Sequence, residues 1–252
     1  MTLIVTDAIV LHAFDYLETS RILRLLTRDA GLQSVLARGA RNSRKRFGGA
    51  LDLFAEGQVQ LELKVGRDLH TLAAFDAGPS RPSLGTELAR FTAAAALAEC
   101  VLRVVHDESA PALFDGVVRG LNQIAAADPE DAVSAGLGAM WSLVAEVGFA
   151  PTIDVCANCQ AELSPDEDVA FSHVAGGALC FRCAQSPLSA RRLPVPARSA
   201  LRSWLSDELV SLTSDGERRA HQRLFREFLA QHLPDNRPMP AYAIWEQGRL
   251  GL

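Results

Sequence analysis

Two C-x-x-C turns constrain this chain more than any other stretch. Cys156-Ala157-Asn158-Cys159 and Cys180-Phe181-Arg182-Cys183 are separated by the 20 residues 160–179, at the upper edge of the spacing that marks four-cysteine zinc sites. Each turn presents two thiolates, and two such turns close a tetrahedral sulfur shell around one ion. A catalytic zinc keeps a position open for water, which four cysteines do not leave, so zinc here is expected to fold a subdomain. Between the turns, Ser164-Pro165-Asp166-Glu167-Asp168 reads as a turn, Val169-Ala170-Phe171 as a short strand and Gly176-Gly177 as another turn. So small a piece buries too little apolar surface to fold alone, and metal binding would supply much of its stability. A pair of disulfides and four unrelated thiols are the weaker alternatives, and nothing else in the chain points to an oxidising compartment. His173 lies between the turns, either as a substitute ligand or, more commonly for such a position, as a surface histidine on a hairpin.

The other elements are read from periodicity. Residues 3–13, 21–27 and 32–37 form apolar, β-branched runs, the last two joined by the turn Asp29-Ala30-Gly31. Val59, Leu61, Leu63 and Val65 alternate with Gln58, Gln60, Glu62 and Lys64, the period-two pattern of a half-buried strand. Gly66-Arg67-Asp68 then turns the chain into a last strand, residues 69–75. Five short strands with one long connection fit a small closed barrel, of which the OB-fold is the common form at this size; an SH3-like barrel fits the pattern nearly as well. Gly78-Pro79-Ser80-Arg81-Pro82 reads as a linker.

Beyond it, Leu88, Phe91, Ala95, Ala98, Leu102 and Val105 mark an amphipathic helix, and Leu113, Val117, Leu121 and Ile124 a second. A third opens with Asp128 as N-cap and Pro129 at its first position, carries Val133, Leu137, Met140, Val144 and Val147, and stops at Gly148. After the cysteine segment come a helix over 196–206 and another opened by the capping box Ser214-x-x-Glu217 and running to about His232. The tail 234–252, bearing prolines, is expected to be loose.

The expected architecture is therefore α+β and multidomain: a five-stranded OB-fold barrel over 1–78, a helical domain over 84–150 completed by 189–252, and a four-cysteine zinc finger inserted at 151–188. No apolar run approaches a membrane span and no basic leader precedes the first strand, which makes the cytoplasm the expected compartment. Cys100, in an apolar helical run, is expected to be a buried inert thiol.

The net charge of −5 argues by itself against a nucleic-acid partner, and its distribution argues the other way. Residues 21–46 hold Arg21, Arg24, Arg28, Arg38, Arg41, Arg44, Lys45 and Arg46 against the single acid Asp29, a local charge of +7. Arginine's planar fork bonds two phosphate oxygens at once, and each neutralised phosphate releases counterions. Phe47, directly after the run, is a candidate to stack on a base or to anchor the loop to the barrel. Arg219, Arg223 and Arg226 share a helical face beside Arg218, and Arg191, Arg192, Arg198 and Arg202 follow the second cysteine turn as a candidate extension of a basic surface. No P-loop, nucleophile elbow, dinucleotide fingerprint or histidine triad spacing is present, so no enzyme is expected. His12 and His70 read as ordinary barrel residues.

Several stretches resemble the bacterial recombination mediator family RecO. They are Glu18-Thr19-Ser20-Arg21-Ile22-Leu23 with Leu25-Leu26-Thr27-Arg28, Ala37-Arg38-Gly39-Ala40-Arg41 leading to Arg46-Phe47-Gly48-Gly49-Ala50-Leu51, and residues 143–151 running into the first cysteine turn. The resemblance covers nearly the whole chain in order. It implies an OB-fold that binds single- and double-stranded DNA, strand annealing, and action with RecR to load RecA onto DNA covered by single-strand-binding protein, whose C-terminal tail docks on the helical domain. It carries DNA binding to Arg38 and Arg41, with Arg44, Lys45 and Arg46 beside them, and structural zinc to Cys156, Cys159, Cys180 and Cys183. A nucleoid-associated cytoplasmic protein follows. Two rivals are an adaptor whose basic loop binds an acidic protein, and a nucleic-acid enzyme with a structural zinc.

Overall fold

The computed structural model describes residues 2–41, 47, 51–105, 108–185, 190–233 and 237–248. Among these, five strands close a barrel: β1 (Thr2–Tyr16), β2 (Ser20–Thr27), β3 (Gly31–Ala37), β4 (Glu56–Leu63) and β5 (Leu69–Ala77). The order is β1-β2-β3-β5-β4, with β4 returning to β1, and only β3 and β5 run parallel. That order makes the barrel OB-like. The β2–β3 hairpin turns where the sequence predicts: Gly31 takes φ +64°, and the Thr27 hydroxyl donates to Gly31 O at 2.8 Å while accepting from the Ala30 N–H at 3.1 Å. β4 stops two residues short of the alternation. The Lys64 N–H donates to His70 Nδ1 at 3.1 Å, Gly66 takes φ +71°, and Val65 is left 89% exposed in the turn.

β1 and β2 shift register between Val10 and His12. Ala8 and Val10 belong to the barrel interior, whereas Ile9 and Leu11 pack outward against the helices. Past the bulge the phase is reset: Ala13 returns to the interior opposite Leu23, and His12, Phe14 and Tyr16 stand outward opposite Arg24, Ile22 and Ser20. The interior is closed by Leu23, Leu25, Val35, Val59, Leu61, Leu72 and Phe75.

One outer side of the barrel is covered by helices, to which it is clamped. Ile9, Leu11, Leu26 and Leu32 join the helical core. Arg28 forks onto Asp115 at 2.6 and 3.0 Å, reaches Asp7 at 3.3 Å and lies 4.8 Å from the Phe114 ring centre. The segment expected as a linker is pinned rather than loose: the Arg81 side chain, 6% exposed, pairs with Glu56 and donates to Asn122 at 2.6 Å.

Among the described residues the helices are α1 (Pro82–Thr86), α2 (Leu88–Val104), α3 (Pro111–Ala126), α4 (Ala132–Glu146), α6 (Val195–Leu205), α7 (Asp215–His232) and α8 (Pro240–Gln247), with the one-turn α5 (Phe181–Ala184) inside the cysteine segment. On α2 the predicted stripe is one part of a wider buried surface. Leu88 is exposed, Phe91, Ala95 and Leu102 are partly buried against the core, Ala98 and Val105 are buried, and Ala93, Ala94, Ala96, Leu97, Cys100, Val101 and Val104 are buried as well, because the barrel, α4 and α8 enclose this alanine-rich helix from several sides. α4 begins at Ala132, with Asp131 at the N-cap position but making no side-chain cap hydrogen bond; the Asp128 backbone carbonyl instead closes a turn by accepting the Asp131 N–H at 2.9 Å. α7 starts at the predicted capping box, with the Ser214 hydroxyl and the Glu217 carboxylate each accepting the other's backbone N–H.

The tail departs from expectation. Tyr242 and Trp245 of α8 are buried, the Tyr242 N–H donates to Glu99 Oε2 at 2.8 Å, and its hydroxyl donates to Gln222 O at 2.6 Å. Apolar anchors this large override the proline signal.

His221 of α7 is buried edge-on against Trp204, with ring centres 4.8 Å apart. Burial pushes its pKa down to about 4, against a weaker upward pull from Glu217. Its unfolded value is about 6.5, so the folded chain binds fewer protons between these two pH values. The stability this contributes is complete above about pH 6.5 and drains away as pH falls toward about 4. Urea midpoints of the wild type at pH 7, 6 and 5 should fall more steeply than those of His221→Gln; parallel curves would show that the imidazole is not the titrating group.

Candidate nucleic-acid interface and zinc centre

The four cysteines converge. All their Sγ atoms lie within 4.8 Å of one another, and Cys159 and Cys180 are 3.8 Å apart. A tetrahedron with zinc–sulfur bonds of about 2.3 Å has edges of about 3.8 Å, so the donor set and its size fit zinc. The first turn is shaped by Gln160 at φ +61°, whose N–H donates to Cys156 O at 2.8 Å; the second repeats this with the Ala184 N–H and Cys180 O at 2.9 Å.

Burial pushes the Cys156 thiol up, but backbone N–H groups of Cys180, Cys159 and Asn158 outweigh it and bring the pKa down to about 6. The backbone N–H of Cys183 likewise lowers Cys180. Cys183 moves up to about 11: Asn158 pulls it down, and the neighbouring sulfurs, led by Cys180, outweigh that pull. Lowered Cys156 and Cys180 thiols in a closed set of four sulfurs are compatible with metal binding. His173 is not in the shell; its Nε2 meets Glu227 of α7 at 3.2 Å.

β6 (Val169–Ser172) pairs with β7 (Gly177–Leu179) and β8 (Arg191–Leu193). A Cβ on Gly177 would sit 2.1 Å from Thr152 O, so only glycine lets the backbone leading to the first cysteine turn lie against β7. The arginines after the second turn are not one surface. Arg192 pairs with Asp168, Arg191 with Glu227 and Arg202 with Asp154. Arg198, 1% exposed, is a correction to the surface reading: it donates to the carbonyls of Ile153, Ser164, Leu163 and Glu167, tying the cysteine loops to α6. On α7, Arg218 pairs with Asp215 and Arg226 with Glu246, while Arg219 and Arg223 remain exposed.

The +7 segment is also divided by the fold. Arg28 is spent on the clamp to the helices. Arg21 and Arg41 share the Asp15 carboxylate at 3.2 and 3.5 Å, and Arg21 also faces Asp52 at 3.7 Å. Arg38 is exposed and makes no ion pair among the described residues. Arg24 stands on the outer face, with Nε making no hydrogen bond. Arg44, Lys45 and Arg46 lie outside the described residues. Phe47 is 3% exposed within the barrel's apolar cluster, which corrects its assignment as a stacking ring: it anchors the loop.

Two outward rows of the barrel, His12–Arg24–Ser34 and Phe14–Ile22–Leu36, run across β1, β2 and β3 toward Tyr16 and Arg38. His12 and Phe14 have ring centres 5.8 Å apart. The aromatic members of this face escape sequence reasoning because the alternation that places side chains is broken at the bulge.

Fold and sites together define a class: an OB-like barrel with a basic and aromatic outer face, carried on a helical domain that holds a four-cysteine centre. The chain belongs to the recombination protein O (RecO) family. The family description "Recombination protein O N terminal" matches residues 1–77 and "Recombination protein O C terminal" matches residues 85–239. The DNA repair protein RecO of Anaeromyxobacter dehalogenans strain 2CP-C is 37% identical over 192 residues, 75% of this chain and 73% of that protein. Those of Rubrobacter xylanophilus and Symbiobacterium thermophilum are each 30% identical, covering 93% and 97% of this chain and 94% and 92% of their own.

Proposed function

We propose that this chain is a recombination mediator of DNA repair that holds DNA on the outer face of its barrel, anneals complementary strands, and with RecR helps to load RecA onto DNA covered by single-strand-binding protein. The observation that carries the reading is the exposure of Arg38 and Arg41 just past the end of β3, with Arg24 on the outer face of β2, in a chain of net charge −5. Phosphates held there lose counterions, and two strands held on one electropositive surface repel each other less and meet more often. Annealing by this route breaks no covalent bond and asks for no catalytic residue. Arg44, Lys45 and Arg46 follow Arg41 in sequence and add to the local positive charge. Zinc on the four cysteines would hold that segment folded and supply no reaction chemistry. No helix among the described residues is long and apolar enough to cross a membrane, and the reading places the protein with the nucleoid in the cytoplasm.

Fluorescence anisotropy of a labelled oligonucleotide at two salt concentrations tests this. Arg38→Ala/Arg41→Ala should weaken binding by about tenfold or more and flatten the dependence of log K on log salt by about two contacts. Binding and slope unchanged in the double variant would remove the barrel face as the DNA site. Binding of an acidic polypeptide that oligonucleotide does not displace would favour the adaptor reading instead.

A further inference from the structure

We propose that the bulge at Val10–His12 makes the barrel selective for unpaired DNA, by turning Phe14 and Tyr16 outward as rings on which single-strand bases stack. The inference rests on the reading that DNA lies along this barrel face, and names which form of DNA it takes. Three observations support it.

First, register: Phe14 and Tyr16 oppose Ile22 and Ser20, residues that alternate with the interior Leu23 and lie on the strand's outer side. Were β1 regular from Val10 onward, Ala13 and Asp15 would face out and both rings would face the barrel interior. The extra residue therefore exchanges a carboxylate-bearing outer face for an aromatic one. Asp15 is turned toward the barrel mouth, where Arg21 and Arg41 hold it.

Second, exposure: Phe14 is 44% and Tyr16 40% exposed. The helices cover Ile9, Leu11, Leu26 and Leu32 on the same barrel and stop short of these rings. Rings on the part of the barrel surface that the helices leave open are available to a ligand with flat apolar faces.

Third, neighbours: Arg24 flanks the rings on β2 and Arg38 lies beyond Leu36 at the end of β3. Positive charge beside exposed rings is the pairing that single-strand sites use, one group for the backbone and the other for the base. Alternate residues on a strand are about 6.6 Å apart, roughly twice the 3.4 Å rise of stacked bases. Successive bases must unstack to use both rings, which a duplex does not allow.

The test compares single-stranded and duplex oligonucleotides of one sequence. Phe14→Ala/Tyr16→Ala should lose about 30-fold or more in single-strand affinity while duplex affinity moves by less than about twofold. The salt slope should stay that of the wild type, because stacking releases no counterions. Phe14→Leu/Tyr16→Leu keeps apolar bulk without a ring and should lose nearly as much, whereas Phe14→Trp should bind as the wild type, with the fluorescence of the introduced indole quenched by the single strand.

Equal losses for single strand and duplex, wild-type affinity in the leucine variant, or indole fluorescence unquenched by the single strand in Phe14→Trp would each overturn the proposal. Loss of binding in Arg38→Ala/Arg41→Ala with none in Phe14→Ala/Tyr16→Ala would sink this inference and leave the DNA-binding reading standing. A wild type that binds neither form would sink both.

Discussion

Stripping zinc from the four-cysteine centre is expected to unfold residues 151–185 and to lower the thermal midpoint of the whole chain by about 10 °C. Zinc shells of this kind contribute on the order of 10 kcal/mol to small domains that do not fold without metal. Here part of that ordering is already supplied by β6, β7 and β8 and by the carbonyls that Arg198 holds, so the loss should be smaller, about 3–5 kcal/mol. For a chain of this length 1 kcal/mol shifts the midpoint by about 2–4 °C. Cys156 matters most among the four, being fully buried. Cys156→Ser should therefore reproduce the effect of a chelator, and zinc released by a thiol-modifying reagent should approach one ion per chain. An unchanged melting curve after complete removal of metal would show that the protein alone holds the segment, and no zinc in the purified wild type would remove the metal from the account.

Replacing Arg198 is expected to cost nearly as much by a different route. Its guanidinium is buried and donates to four carbonyls, and Asp154, at 3.8 Å, is the nearest acid to it. Burial pulls its pKa down from the usual arginine value, and the neighbouring Arg202 adds to this against Asp154. The site thus carries a desolvation cost that only the complete set of hydrogen bonds offsets. Arg198→Met fills the volume but leaves the Ile153, Leu163, Ser164 and Glu167 carbonyls without their donor, a loss of about 3–5 kcal/mol. Arg198→Lys keeps a charge but not the fork and should recover less than half. Urea titration with an unchanged slope and a lowered midpoint would confirm a stability effect. Zinc affinity should fall in parallel, since these carbonyls flank the first cysteine turn. A methionine variant as stable as the wild type would mean that water satisfies the carbonyls.

Features written in a few adjacent residues were legible in the sequence. The capping box at Ser214 and Glu217 needs four residues, the hairpin at Gly31 needs three, and the cysteine turns need four each. In every case the geometry is set by local chain stiffness and by hydrogen bonds within one turn. Period two in β4 likewise survived, apart from Val65. Errors arose where neighbours distant in sequence decide the outcome. On α2 several elements cover the helix at once, so a single-face stripe captured only part of the buried surface and wrongly included Leu88. At α8 two aromatic anchors outweighed the prolines around them.

Composition and local pattern alone thus determined a small five-stranded barrel followed by helices, a four-cysteine centre and a basic segment, because cysteine spacing, strand period and charge clustering are properties of neighbouring residues; the strand order that makes the barrel OB-like rests on pairings distant in sequence. Only the tertiary structure decided how the arginines are used. Arg28 became a clamp and Arg198 a buried brace because each was brought against partners tens of residues away, Asp115 in one case and the 153–167 carbonyls in the other. Arg38 stayed exposed to solvent. The bulge in β1 decided which side chains accompany it, since one extra residue in a period-two element reverses the face of every side chain beyond it.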